Sequence, residues 1–189
     1  MASTARAILD RVYLVYFLIH IPVLFCVDLV PLYPASLWVP PDSPLHALSR
    51  LRSYYIEAYN DQFFARPAAE IPSFFPLFAF LELVFHLPVS LWAVGALWGG
   101  GGNRNRGSGP LSGAAELLLL VYGLETALTT FTCMYDAALW DPAVVSFEQK
   151  TVLVGGLYGG YFALAVLMTI DMYARLLKRV GVDEVKKTQ

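Results

Sequence analysis

Four stretches of the chain, about residues 12–30, 72–98, 111–135 and 151–177, are each long and apolar enough to cross a bilayer, for which an α-helix needs about 20 mostly apolar residues. They occupy most of the 189 residues and leave little chain for anything else. The expected fold is therefore all-α, an integral membrane four-helix bundle forming one domain over residues 1–189. Only 15% of the residues are charged, against roughly 25% in an ordinary soluble domain, which fits lipid as the solvent. The first stretch follows Arg6 and Arg11 as a signal peptide would. Its apolar run is too long for one, it holds His20 and Asp28, and no small-residue cleavage site follows, so it reads as a span.

Of the 13 basic residues only Arg50, Arg52, Arg66 and Lys150 fall on one side of these spans, leaving nine on the other. Positive charge stays cytosolic, so both termini and the loop after the second span are expected in the cytosol. That loop, residues 99–109, is Gly-rich and polar and reads as a flexible linker. The loop between the first and second spans is long and rich in Pro, Tyr, Phe and Trp, which predicts a structured cap over the mouth of the bundle. Within it residues 45–64 have helical spacing with aromatic positions at Tyr54, Tyr55, Tyr59, Phe63 and Phe64, which fits a short helix lying at the membrane interface or capping a cavity, with interface packing preferred to ligand contact. The third loop, with Asp136, Asp141 and Glu148, reads as solvated. The tail Lys186-Lys187-Thr188-Gln189 resembles a dilysine retrieval signal of the endoplasmic reticulum. Cys26 and Cys133 both fall inside spans and read as buried thiols. A net charge of −2 offers nucleic acid no basic surface.

Acids inside the spans are the chemistry of this sequence. Asp28, Glu82 and Glu125 have no Lys or Arg in their own helices, and a carboxylate in hydrocarbon is costly. Such groups point into the bundle, where they pair with each other, bind between helices or wait for a ligand; two carboxyls sharing a proton form a receptor for a cation. Glu116 and Asp171 lie near helix ends and read as structural. Glu82 and His86 share a helix face, and His86-Leu87-Pro88-Val89 echoes His20-Ile21-Pro22-Val23. Each proline removes a backbone hydrogen bond and widens the bundle, so a pocket between the first two spans is expected, with His20 a hydrogen-bonded core residue.

In the third span Tyr122, Glu125, Thr126 and Thr129 share a face, with Thr126 placed to bond back to the Tyr122 carbonyl. In the fourth, Gly155, Gly156, Gly159 and Gly160 form overlapping Gly-x-x-x-Gly patterns that read as close helix packing or dimerisation, while Tyr158 and Tyr161 offer rings to a cavity. No nucleophile elbow, phosphate loop or metal-ligand spacing occurs, and no cofactor is implied. Any catalysis here would be proton transfer.

The blocks Tyr16-Phe17-Leu18-Ile19-His20-Ile21-Pro22 with Asp28-Leu29, and Phe80-Leu81-Glu82-Leu83-Val84-Phe85-His86-Leu87-Pro88, resemble the sigma-2 receptor family of the EXPERA superfamily. Tyr59-Asn60-Asp61 and Leu157-Tyr158 with Tyr161 fit the same pattern. The resemblance implies a four-helix protein of the endoplasmic reticulum, often a homodimer, that binds sterols and cationic amphiphiles. It implies that Asp28 meets a ligand amine, that Glu82 is its hydrogen-bonded neighbour, that Asp61 holds the loop to the site and that Tyr158 lines the pocket. His86 stands where the animal receptors have glutamine, and Gly160 where a proline is expected.

The expected ligand-binding set is thus Asp28, Glu82, Tyr158, Glu125, His86, Thr129 and Tyr161, supported by Asp61, His20, Pro22 and Pro88. The expected function is non-enzymatic regulation of sterol or protein trafficking, with lipids, sterols, cationic amphiphiles and membrane proteins as partners. Two alternatives come from the same superfamily. The emopamil-binding sterol isomerases share a Glu-Thr pair like Glu125-Thr126, but they use a His and a Glu four residues later in the first span, and here His20 is followed at that distance by Leu24. The efficient mitochondria targeting-associated proteins, which assist precursor handling at the endoplasmic reticulum, resemble the chain to a similar degree.

Overall fold

The computed structural model describes residues 2–98 and 111–187, without the side chains of 2–3 and 182–187. The Gly-rich linker and the side chains of Lys186 and Lys187, on which the dilysine reading rests, lie outside that description. Among the described residues four helices are long and apolar enough to cross a membrane: Thr4–Asp28, Phe74–Trp98, Gly113–Ala138 and Phe147–Gly181. Among the described residues there is no strand, and the architecture is an all-α membrane bundle. The fourth helix starts ahead of its apolar stretch because Ser146 and Gln149 form a reciprocal capping box, satisfying amides that would otherwise be orphaned.

The third and fourth spans pack most extensively, the first and second next. A Cβ at Gly123 would lie 2.8 Å from Thr169 Oγ1 and 3.1 Å from the Ala165 carbonyl, so here glycine lets two backbones meet. The glycines of the fourth span do not pack this way within the chain. A Cβ at Gly155, Gly156 or Gly160 meets nothing within 4 Å, which corrects the expectation of close packing at these positions.

Towards the termini the core is built from Tyr13, Phe17, Leu119, Tyr122 and Met168. Ion pairs close that end. Arg175, 3% exposed, meets Asp10 at 2.7 Å and Asp171 at 2.7 Å, and Tyr13 Oη donates to Asp171. Arg179 pairs with Glu116. Full pairing is what makes burial of these charges tolerable.

At the other end the loop supplies the core, with Phe63 and Phe64 against Trp140, Val145 and Leu153. Phe63 stacks on Phe75 with ring centroids 4.6 Å apart. The loop is not one helix over residues 45–64: His46–Tyr59 ends at Asn60, whose φ of 50° is a left-handed conformation that asparagine tolerates, and Asp61 then caps Gln62–Ala65. Asn60 Nδ2 donates to the Val144 carbonyl at 2.6 Å, tying this loop to the third. In the third loop Asp141 and Glu148 are exposed, whereas Asp136 belongs to the last turn of the third span and accepts from Trp140 Nε1 at 2.9 Å.

The expected proline kinks take a specific form. The first span widens into a π-turn over Leu24–Asp28, just after Pro22, and the second over Glu82–His86, just before Pro88. A third π-segment, Thr151–Tyr158, opens the fourth span without any proline. Each such turn adds a residue to the local repeat and swings side chains off the α-helical register, as happens often at functional sites.

Candidate functional site

Asp28 ends the first π-turn, Glu82 begins the second and Tyr158 ends the third. All three line one cavity of about 110 Å³. The third span contributes Thr129, Thr130 and Cys133, the second Phe75 and Phe78, and the loop roofs it with Tyr55 and Phe64. Among the described residues neither Asp28 nor Glu82 has a hydrogen-bond or ion-pair partner. The two acids share the cavity, but the hydrogen bond between them that the resemblance implies is not formed. Carboxyls in an apolar medium without partners carry a large unmet demand for a cation or a proton donor.

Asp61 lies behind the cavity, fully buried. Its Oδ2 accepts from Tyr158 Oη at 2.7 Å and from Tyr55 Oη at 2.8 Å, while Oδ1 accepts from the Phe63 amide at 2.9 Å. One carboxyl thus joins the loop to the fourth span and orients two cavity-lining phenols. Burial pushes the Asp61 carboxyl above its ordinary range, against the pull of those donors and of Arg52. Burial and the nearby Asp61 charge push the Tyr55 phenol up, so it stays a donor.

Other expected site residues lie elsewhere. His86 is buried and bonds through Nε2 to Glu125, away from the cavity wall. Glu125 and Thr129 line a groove of about 340 Å³ between the second and third spans, floored by Phe78, Leu81 and Leu128. Phe78 and Thr129 border both this groove and the acid cavity, so the two spaces are neighbours. His20 is 5% exposed and stacks on Tyr16 at 5.3 Å, but neither ring nitrogen has a partner, so it is a core residue without the expected hydrogen bond. Tyr161 lines a separate groove between the first and fourth spans.

Sequence reasoning preferred interface packing to cavity capping for Tyr55 and Phe64, read Cys133 only as a buried thiol and passed over Thr130. Cys133 had a signal, since a residue four positions after Thr129 lies on the same helix face. Thr126 does bond back to the Tyr122 carbonyl, at 2.8 Å. Among the described residues no group of His, Cys, Asp and Glu is arranged to hold a metal ion.

A family model described as EXPERA, the expanded EBP superfamily, matches residues 47–172. Efficient mitochondria targeting-associated protein 19 of Schizosaccharomyces pombe is 30% identical over 175 residues, 93% of this chain and 80% of its own length. Sigma intracellular receptor 2 of Xenopus tropicalis is 34% identical over 177 residues, 91% of each chain.

Proposed function

The chain belongs to the EXPERA superfamily, and from that premise we propose that it is an endoplasmic reticulum membrane protein that binds cationic amphiphiles and sterols and regulates sterol or protein trafficking without chemistry of its own. The observation that carries this reading is the pair of partnerless carboxyls, Asp28 and Glu82, on one intramembrane cavity. An ammonium group answers both the charge and the missing hydrogen bonds. Tyr55 and Tyr158 add ring faces for cation–π attraction.

About 110 Å³ admits the ammonium head of an amphiphile and little more. The tail has a place beside it, because the apolar groove between the second and third spans begins where Phe78 and Thr129 end the cavity. An amphiphile reaching this site from the bilayer keeps its hydrocarbon in apolar surroundings throughout. The receptor named among the relatives supports the binding reading.

The competing reading is a proton-transferring sterol isomerase. Against it, Leu24 stands where that relay needs a glutamate, and Glu125 is engaged by His86. The relative named for mitochondrial targeting supports a role in precursor handling, which is compatible with ligand binding. Both termini are placed in the cytosol on the charge count, and a homodimer is the proposed assembly. The test uses purified protein in detergent: saturable binding of a radiolabelled tertiary-amine amphiphile is expected, and incubation with a Δ8-sterol should give no Δ7 product. Absence of saturable binding, or turnover that Glu125→Gln abolishes, would end this reading.

A further inference from the structure

Polar residues recur at helical spacing on the faces that the spans turn towards one another, between the acid cavity and the termini. The second span carries Glu82, His86 and Ser90 four apart, the third Tyr122 and Glu125, and the first Asp28, His20, Tyr16 and Tyr13. His20, His86, Ser90, Tyr122, Tyr16 and Tyr13 are all buried, none more than 6% exposed. We propose that this column is a proton pathway, joining the acid cavity to the face of the membrane that carries the termini and setting the charge of Asp28 and Glu82 from that side. Resting on the reading of that cavity as an ammonium site, the pathway adds what regulates it: a carboxylate there meets the ligand's charge, and a proton delivered to it removes that attraction.

The contacts run in sequence. Glu82 and His86 begin and end one π-turn, and His86 Nε2 is bonded to Glu125. The His86 ring lies 4.9 Å from that of Tyr122. Tyr122 Oη shares hydrogen bonds with Ser90 Oγ at 3.3 Å and with Tyr16 Oη at 3.2 Å. One turn further on, Tyr13 Oη donates to Asp171 at 3.1 Å, and Asp171 meets Arg175, which also meets Asp10. From Asp28 to Tyr13 the column covers about 22 Å at 1.5 Å per residue, much of the hydrocarbon thickness. Hydroxyl, phenol, imidazole and carboxyl each both accept and donate a proton. Each group takes a proton on a lone pair and passes on the one it held, so none is consumed, and the last transfer turns a carboxylate of the cavity into a neutral acid. The breaks, Glu82 to His86 and Tyr16 to Tyr13, are about one helical turn each, short enough for a bridging water.

Incomplete pairing separates a pathway from a set of bonds that only hold helices together. A buried network of the second kind is worth most when every member is satisfied. Here both ring nitrogens of His20, His86 Nδ1 and Glu125 Oε1 are buried without a hydrogen-bond partner among the described residues. The His20 and His86 rings are 6.1 Å apart and Tyr16 stacks on His20 at 5.3 Å, so the spare donors and acceptors lie beside the chain of hydroxyls. A shuttling group needs such spare positions, because it takes up one proton before it gives up another. Acids and histidines in series within spans are the usual make-up of a proton relay.

The opposite face is less open to protons. Around the acids stand Tyr55 from the loop, Cys133 from the third span and Tyr158 from the fourth. Both phenols donate to Asp61, which feels the charge of Arg52. Arg52 makes no ion pair among the described residues and donates to the Phe64 carbonyl at 2.8 Å. A fixed cation there repels an incoming proton. At the end of the termini Arg175 is instead neutralised by two carboxylates, Asp10 and Asp171, which can themselves carry protons.

The experiment uses the full chain in sealed liposomes, with vesicles that carry the termini outward captured on a C-terminal tag. Impermeant buffers set the pH on each side separately. The probe is dicyclohexylcarbodiimide, which is neutral, crosses lipid and reacts with a protonated carboxyl but not with a carboxylate; labelling of Asp28 and Glu82 is read by mass spectrometry. Labelling should rise several-fold when the side of the termini is acidified and respond little to the other side. Binding of a radiolabelled tertiary amine should fall in step. Tyr122→Phe keeps the ring and removes one hydroxyl of the column; with an unchanged elution profile and normal labelling when both sides are acid, it should lose the response to the side of the termini. Labelling that is absent or follows both sides alike, or a Tyr122→Phe protein that responds like the wild type, overturns the proposal. Labelling that follows the other side also overturns it and assigns the supply to Tyr158 and Asp61. Wild-type protein that is labelled from the side of the termini but binds no amine upholds the pathway and refutes the ammonium-site reading instead.

Discussion

Replacing Asp28 with Asn should weaken a cationic amphiphile by about 30-fold or more. The figure follows from the site: the Asp28 carboxyl has no partner among the described residues, so the substitution breaks no internal bond, and its cost falls on the ligand contact. Truncating one partner of a desolvated charge pair costs about 2–5 kcal/mol, and the lower bound is about 30-fold at 1.4 kcal/mol per decade. Glu82→Gln should be milder, because like charges on one small cavity repel and a single carboxylate already meets the ammonium. Saturation binding of a radiolabelled tertiary amine in detergent measures both variants, with an unchanged elution profile as the control for folding. A folded Asp28→Asn protein that holds the amine within about threefold of wild type, or that loses cholesterol to the same extent, would show that the acid shapes the cavity without meeting the ligand.

Asp61→Asn should lower the thermal midpoint by several degrees, because the amide puts an N–H₂ where one carboxyl oxygen accepts from two phenols or, flipped, where the other accepts from the Phe63 backbone N–H, and a buried donor that loses its acceptor costs about 1–3 kcal/mol; a midpoint equal to wild type would refute this. Since burial holds the Asp61 pKa above its ordinary value, the stability it contributes is full below the unfolded value of about 4 and declines as pH rises through the folded one. The midpoint gap between wild type and Asp61→Asn should therefore narrow with rising pH, and a widening gap would reverse the assignment. Glu125→Leu strips buried His86 of its hydrogen bond and should cost about 1–3 kcal/mol of stability, yet barely change amine binding, because Glu125 borders only the tail groove, where leucine keeps the lining apolar, and not the acid cavity; a large affinity loss would place its carboxyl against the ammonium. Gly123→Ala drives a Cβ into Thr169 and the Ala165 carbonyl and should destabilise by about 1–3 kcal/mol, whereas Gly95→Ala, with open space around it, should be neutral or stabilising in a thermal melt.

The spans were legible because their signal is local: length and hydropathy alone fix where a helix can cross lipid. Asp28 and Glu82 were legible for the opposite reason, being charges where hydrocarbon forbids them. Their shared cavity follows from how helices meet, which neither helix encodes by itself. The His86–Glu125 pair spans 39 positions and two helices, so nothing nearby in sequence announces it. Tyr55 and Phe64 could not be assigned between interface and cavity because an aromatic residue at a membrane interface and one roofing a cavity have the same composition and spacing; their place on the cavity depends on how the loop folds back, with its break at Asn60. The outward glycines of the fourth span carried a packing motif whose meaning depends on what faces it, and within this chain nothing does.

An α-helix turns by about 100° per residue, and each π-turn amounts to one extra residue slipped into that rotation. Asp28, Glu82 and Tyr158 all sit on such insertions. Deleting a single residue from one of them leaves an apolar helix of almost the same length and hydropathy, still able to cross the bilayer, but rotates everything on one side of the deletion relative to the rest. The side chain leaves the cavity although no functional residue has been substituted. In a lineage of such proteins, ligand binding can therefore be gained or silenced by a one-codon insertion or deletion, and two descendants with every acid retained can differ completely in what they recognise.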